Sequence, residues 1–173
     1  MRKQTKKVAL MGLLFALALI LNFVEQTLPA LPIAVPGVKL GLSNIVTMYA
    51  LVFLDFGSAL TITVLKSMSV MFMRGAVASF MSLCGGVVSL VVMALFYVTL
   101  VRPGGNSRVR LVSLGVMGGI FHNVGQLVAS CIILKTTAAF AYLPVLLVSG
   151  VVMGFLTGTT LAMVYPYFLQ HNK

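Results

Sequence analysis

Three polar side chains lie close together inside an apolar stretch of the chain, in the motif HNVGQ at residues 122–126. His122 and Gln126 are four residues apart and Asn123 is three residues from Gln126, so a helix would place them on one turn. Each can donate and accept hydrogen bonds, and polar groups in transmembrane helices generally face the protein interior or a cavity. The motif predicts a binding site for a polar small molecule, with simple packing between helices as the alternative.

Basic and amide side chains on other predicted helices extend this candidate site. Lys66 lies near the middle of an apolar stretch, Arg74 follows about two turns later, and Lys39 and Asn44 stand at the start of another helix. A buried ammonium is costly unless water or an anionic ligand meets it. The pattern predicts a pocket for a neutral or anionic molecule, whereas the alternative for Lys66 is snorkelling or an ion pair with Glu25.

The composition assigns the chain to the membrane proteins. Hydrophobic residues make up 60% of the sequence and charged residues 8%, with a mean hydropathy of +1.12, whereas soluble domains are about one-quarter charged. The formal net charge is +10. Because the basic residues cluster at the ends of apolar stretches, they indicate membrane topology and contacts with anionic lipid rather than nucleic-acid binding.

Six apolar stretches predict an all-α bundle of six transmembrane helices in a single domain of residues 1–173. The predicted spans are 8–27, 40–56, 58–74, 76–101, 109–134 and 139–168. The first is expected to be a retained helix rather than a cleaved signal peptide. An even number of spans leaves eight basic residues on the side of the termini and three on the other. The excess predicts that both termini are cytoplasmic.

Small residues recur at four-residue spacing on three of the predicted helices. They are Gly12 and Ala16 on the first, Gly115 and Gly119 on the fifth, and Gly150, Gly154 and Gly158 on the sixth. Such ridges allow helix backbones to approach closely. Packing inside the bundle accounts for most of them, and the ridge of the first helix is predicted to dock on a separate membrane protein.

Neither a metal site nor a cofactor site is predicted. Cys84 and Cys131 both lie inside apolar stretches, with no CxxC motif and no His at ligand spacing, which is typical of small core residues. The sequence also contains no P-loop, so the chain is not expected to hydrolyse ATP.

Three motifs carry a resemblance to a known family: PGVKLGLSNIVTMYAL, LCGGVVSL and GGIFHNVGQL. With them the chain resembles the Gx transporter family, also catalogued as heptaprenyl diphosphate synthase component I. That family is similar to the substrate-binding S components of energy-coupling-factor transporters. The resemblance covers nearly the whole chain, although the family usually has Arg where this sequence has Lys66.

The resemblance implies a six-helix S component in a prokaryotic plasma membrane, which captures a vitamin-like molecule at the outer face. It also implies a partner, a membrane-embedded coupling subunit driven by two ATPase subunits. The binding positions that it implies are Glu25, Lys39, Asn44, Arg74, His122, Asn123 and Gln126. A flavin-type ligand is the expected class, because flavins need several donors and acceptors and are anionic when phosphorylated.

The synthase name and two other roles compete with this interpretation. Prenyl diphosphate synthases hold Mg²⁺ with clustered carboxylates, but Glu25 and Asp55 are the only acidic residues and stand thirty residues apart, so no enzyme is predicted. A non-catalytic accessory protein of prenyl diphosphate or quinone metabolism is the main alternative. A self-sufficient carrier ranks lower, because the two halves show no clear similarity.

Overall fold

A computed structural model describes residues 3–27, 41–103, 105 and 107–171 of the protein, and these residues form helices and short connections without a strand. The all-α fold class is therefore confirmed. The helices are α1 (Lys3–Thr27), α2 (Asn44–Phe53), α3 (Phe56–Phe96), α4 (Arg108–Leu134) and α5 (Leu143–His171). A π-helical turn at Tyr97–Val101 extends α3, and a 3₁₀ turn at Ala138–Tyr142 precedes α5.

Helix α3 folds back on itself at Gly75. This residue has a φ of 85° and a ψ of 175°, a combination that is essentially restricted to glycine. The Ser79 hydroxyl donates to the Ser67 carbonyl at 2.8 Å, although twelve residues of straight helix would separate them by about 18 Å. The chain therefore forms a first arm (56–74) and a second arm (76–96), divided where the third and fourth predicted spans meet.

The helices run up and down between two ends of the molecule. At one end, which we call the Lys7 end, Lys7 Nζ lies 2.6 Å from Asp55 Oδ2 between α2 and α3, and the Phe53 and Tyr165 rings lie 5.3 Å apart. At the other, the Glu25 end, the α1 carboxylate of Glu25 reaches the segment that leads into α2. Helices α1 and α2 and the two arms of α3 thus alternate in direction.

The closest helix pair is α4 with α5, whose backbones meet along the predicted glycine ridges. A Cβ atom on Gly154 would lie 2.5 Å from the Gly115 carbonyl oxygen, and one on Gly158 would lie 2.7 Å from Val112 Cα. Because real side chains essentially never approach so closely, only glycine allows this contact. The two ridges pack against each other and hold α4 and α5 together.

Four helical stretches among the described residues are long and apolar enough to cross a membrane: Gln4–Glu25, Phe56–Val101, Arg108–Leu134 and Ala138–Tyr167. The second of these contains both arms of α3. Helix α2, with 10 residues, is shorter than the predicted span 40–56 and rises only about 15 Å, against a hydrocarbon core of about 30 Å. It starts after Gly41, which has a positive φ, and ends before Asp55, which caps α3 through the Ser58 amide.

Helix α1 presents one wide apolar face that no described part of the chain covers. Leu13 is 68% exposed and Phe23 58% exposed, whereas Leu14 and Ala18 on the opposite face are buried. Gly12 and Ala16 belong to the exposed face, and a Cβ on Gly12 would meet no atom within 4 Å. The ridge on α1 therefore takes no part in packing within the described chain, unlike the ridges on α4 and α5.

Candidate functional site

Lys66 is the most deeply buried basic residue that the structure describes. Its side chain is 1% exposed, and its ammonium donates to Asn44 Oδ1 at 2.9 Å and to Ser43 Oγ at 3.5 Å. It lies eleven residues, or about 17 Å of helix, from Asp55 along the first arm of α3. It packs against the second arm, where a Cβ on Gly86 would lie 3.9 Å from Lys66 Cε. The snorkelling alternative for Lys66 is therefore wrong, because the ammonium points into the bundle.

The start of α2 brings three helices together at Gly41. Its N–H donates to Glu25 Oε1 on α1 at 2.6 Å, and its carbonyl accepts from the Asn44 N–H at 2.9 Å. Gly41 has a φ of 85°, and a Cβ there would lie 3.1 Å from Asn44 Nδ2 and 3.2 Å from His122 Cδ2. Both the backbone conformation and the available space therefore require glycine, and the tight turn draws Glu25, Asn44 and His122 towards one point.

Helix α4 contributes the pair that the opening motif predicts. His122 Nε2 and Gln126 Nε2 lie 2.9 Å apart in a hydrogen bond, and the side chains are 3% and 0% exposed. The second arm of α3 approaches them at Gly85, where a Cβ would lie 2.7 Å from Gln126 Cγ. The predicted spacing of four residues thus produces a direct contact, and the glycine opposite provides the room for it.

These residues form one buried polar group, which we call the Lys66 cluster. It consists of Glu25, Ser43, Asn44, Lys66, His122 and Gln126, each less than 9% exposed. Asn44 Nδ2 is buried and has no hydrogen-bond partner among the residues that the structure describes. The cluster combines an ammonium, a carboxylate, an imidazole and two amides, so it offers several hydrogen-bond donors and acceptors and one positive charge.

The structure does not bring every predicted site residue to this cluster. Asn123 turns towards α5, where its Nδ2 donates to the Leu146 carbonyl at 2.8 Å, and its buried Oδ1 has no hydrogen-bond partner in the described part of the chain. Arg74 is exposed beside the Gly75 turn. Lys39 lies outside the described residues. Of the predicted residues that the structure describes, five therefore meet, namely Glu25, Asn44, Lys66, His122 and Gln126.

Sequence reasoning missed Ser43 and the role of Gly41, although both lie in the motif PGVKLGLSN. The signal was present in the residue types, since Gly, Ser and Asn within four residues are typical of a turn. The contact of Ser43 with Lys66 could not be predicted, because the two residues are 23 positions apart in the sequence.

The two acidic residues lie at opposite ends of α1. Asp55 is bound to Lys7, and Glu25 follows Lys7 by eighteen residues of helix, or about 27 Å. The Lys7 ammonium and the Ser58 amide, which both hydrogen-bond Asp55, hold the pKa of its carboxyl below its ordinary value. Because of this separation, the two carboxylates cannot share one metal ion.

Comparison with known proteins identifies one family. The family model for heptaprenyl diphosphate synthase component I matches residues 14–164. The matched region includes α2, α3 and α4 completely, most of α1 and α5, and every residue of the Lys66 cluster. Searches of curated proteins and of solved structures found no match. On the extent of the family match, the chain belongs to the heptaprenyl diphosphate synthase component I family.

Proposed function

We propose that this protein is the substrate-binding subunit of an energy-coupling-factor-type transporter and captures a small vitamin-like or anionic molecule. The observation that carries the proposal is the buried Lys66 ammonium, held by Asn44 Oδ1, beside an Asn44 amide nitrogen without a partner in the described chain. Such an arrangement is costly for packing alone, because a buried polar group without a hydrogen bond costs about 1–3 kcal/mol. A ligand oxygen near Asn44 would satisfy the amide nitrogen and would lie close to the positive charge of Lys66.

The proposed role is binding rather than catalysis. A prenyl diphosphate synthase requires carboxylates that share Mg²⁺, and the separation of Glu25 from Asp55 along α1 argues against that chemistry here. The ligand is expected to be of the flavin type, with several polar groups and a negative charge.

The proposed orientation follows from the charges at the two ends. The Lys7 end carries the described cations Lys6, Lys7, Arg102, Arg108 and Arg110, whereas the Glu25 end carries Arg74 and Lys135. By the positive-inside rule the Lys7 end is cytoplasmic; with the six spans that we propose, both termini are inside and the ligand enters from outside. The exposed ridge of Gly12 and Ala16 is the proposed docking face for a membrane-embedded coupling subunit with two ATPase subunits in a prokaryotic plasma membrane.

The direct test is to purify the protein and identify any bound small molecule by mass spectrometry, then measure its affinity for variants. Lys66→Met should weaken binding about 10- to 150-fold, since hydrogen bonds to charged groups contribute about 1.5–3 kcal/mol. The melting temperature should also fall, because Asn44 Oδ1 loses its buried donor at a cost of about 1–3 kcal/mol, so affinity is measured at a temperature where the variant is folded. Lys135→Met, which removes an exposed cation from the same end, is the control and should bind normally. Unchanged affinity in Lys66→Met would contradict the proposal.

A non-catalytic accessory protein of prenyl diphosphate or quinone metabolism is the second candidate. The observation in its favour is that members of the cluster bond to one another, as His122 does to Gln126, which also serves to tie helices together. This candidate predicts that no small molecule co-purifies and that Gln126→Ala changes only the melting temperature.

A further inference from the structure

A groove opens at the Lys7 end between the start of α4 and the end of α5. It has a volume of about 370 Å³ and is lined by Arg108, Ala162, Met163, Pro166 and Tyr167. Its α5 wall lies where the helix lacks one backbone hydrogen bond, because Pro166 has no N–H to donate to the Ala162 carbonyl. One side chain of the groove is cationic, three are apolar, and the exposed Tyr167 is of the type enriched at membrane interfaces.

Arg108 has no acidic partner among the residues that the structure describes. The sequence contains two acidic residues; Asp55 is paired with Lys7, and Glu25 lies at the other end of α1. The first turn of α4 contains no acidic residue but does contain Arg108 and Arg110. Positive side chains in a first turn oppose the helix dipole, so Arg108 and Arg110 do not stabilise α4 through its dipole.

Arg110 differs from Arg108 in what it contacts. Its Nη1 donates to the Gly105 carbonyl at 3.1 Å, so it stabilises the connection between α3 and α4 and does not line the groove. Arg108 and Arg110 are two residues apart and carry the same charge, and only Arg108 lines the groove. They therefore form a matched pair for an experiment.

We propose that this groove binds an anionic phospholipid of the membrane leaflet at the Lys7 end. The lipid phosphate lies on the Arg108 guanidinium, for which phosphate is a preferred partner. An acyl chain runs along Ala162, Met163 and Pro166, which supply only apolar surface. The positive charge of Arg108 favours an anionic headgroup, and the groove places the lipid between α4 and α5.

The test measures lipid retention by native mass spectrometry on the full chain in detergent, after adding phosphatidylglycerol or phosphatidylcholine with identical acyl chains. The unmodified protein should retain phosphatidylglycerol about fivefold or more over phosphatidylcholine, as expected for one basic side chain at an anionic surface. Arg108→Gln should abolish this preference and Arg108→Lys should keep most of it. Arg110→Gln, the control, should change it less than twofold.

Two further outcomes would overturn the proposal. Equal losses in Arg108→Gln and Arg110→Gln would mean that general surface charge attracts the lipid and that the groove has no role. Displacement of the lipid by free glycerol phosphate would mean that the site takes a soluble phosphate compound. Arg108 is exposed and Arg110 is half-buried at the surface, so the variants at both positions should fold, which their melting temperatures would verify.

Discussion

Neighbouring polar residues of α4 serve different purposes, because each contacts a different helix. Gln126 bonds to His122 within the Lys66 cluster, whereas Asn123 fastens α4 to α5 through the Leu146 carbonyl. Residues of a helix that are adjacent in sequence point about 100° apart, so His122 and Asn123 reach different neighbours. We therefore expect ligand affinity and stability to depend on different members of this motif.

Substitution of Gln126 and Asn123 separates the two roles. Gln126→Ala should weaken binding of the co-purified ligand roughly 5- to 150-fold. Asn123→Ala should instead lower the free energy of unfolding by about 1–3 kcal/mol, because it leaves an interhelical carbonyl without this donor. Ligand titration and thermal melting in detergent measure the two effects. A loss of affinity in Asn123→Ala without a change in melting temperature would contradict this division.

The ion pair of Lys7 with Asp55 predicts a dependence of stability on pH. Because the folded state lowers the pKa of Asp55, the stabilisation is present above the ordinary carboxyl pKa of about 3.9 and is lost as the pH falls through the folded pKa. The two side chains are 45% and 47% exposed, so the contribution is small, about 0–1 kcal/mol.

The measurement compares melting temperatures of the unmodified protein and Lys7→Gln between pH 6 and pH 3. The variant should melt at a lower temperature at pH 6, and the difference should shrink towards pH 3. Lys6→Gln, which removes a neighbouring charge without breaking this pair, should show no such trend. A constant difference across the range would mean that the pair does not act through the Asp55 carboxylate.

At the level of helices, the glycine ridges of α4 and α5 pack against each other, whereas the ridge of α1 packs against no described residue. Gly154→Ala should lower the free energy of unfolding by about 1–3 kcal/mol, because its Cβ would lie 2.5 Å from the Gly115 carbonyl oxygen. Gly12→Ala is the matched control and should have no effect on melting, since its Cβ enters open space. Equal melting temperatures for the two variants would contradict the packing of α4 against α5.

The exposed ridge on α1 should affect binding of the coupling subunit rather than the stability of the isolated protein. Gly12→Leu or Ala16→Leu should reduce co-purification of the coupling subunit, because a bulky side chain prevents close backbone approach. Ligand binding by the isolated protein should be unchanged. If both variants retain the partner fully, the docking face lies elsewhere on the molecule.

Local patterns predicted more of the fold than of the site. The boundary at Gly75 and the pairing of His122 with Gln126 follow from residues close in sequence, so both were predictable. The bond between Lys66 and Asn44 joins residues 22 positions apart and depends on how α2 packs against α3. The short extent of α2 also escaped prediction, because apolar residues continue past both of its ends and only Gly41 and Asp55 limit it.

For the whole molecule, the alternating helices and the charge asymmetry predict the topology. Reporter fusions after residue 105 and at the C-terminus should both indicate the cytoplasm, because the basic Lys7 end should stay inside. A fusion at residue 136, next to Lys135, should indicate the outside and serves as the control. A reporter outside the cell at either of the first two positions would overturn the six-span topology.

The burial of Lys66 also has an electrical consequence. Lys66 is roughly the middle residue of the first arm of α3, so a ligand that carries a negative charge to it from outside would cross part of the transmembrane voltage. Moving one elementary charge across the full membrane changes the free energy by about 2.3 kcal/mol per 100 mV, and half the depth gives about 1 kcal/mol. Under the proposed function, an interior-negative voltage would therefore oppose capture of an anion by this cluster and favour its return to the outside.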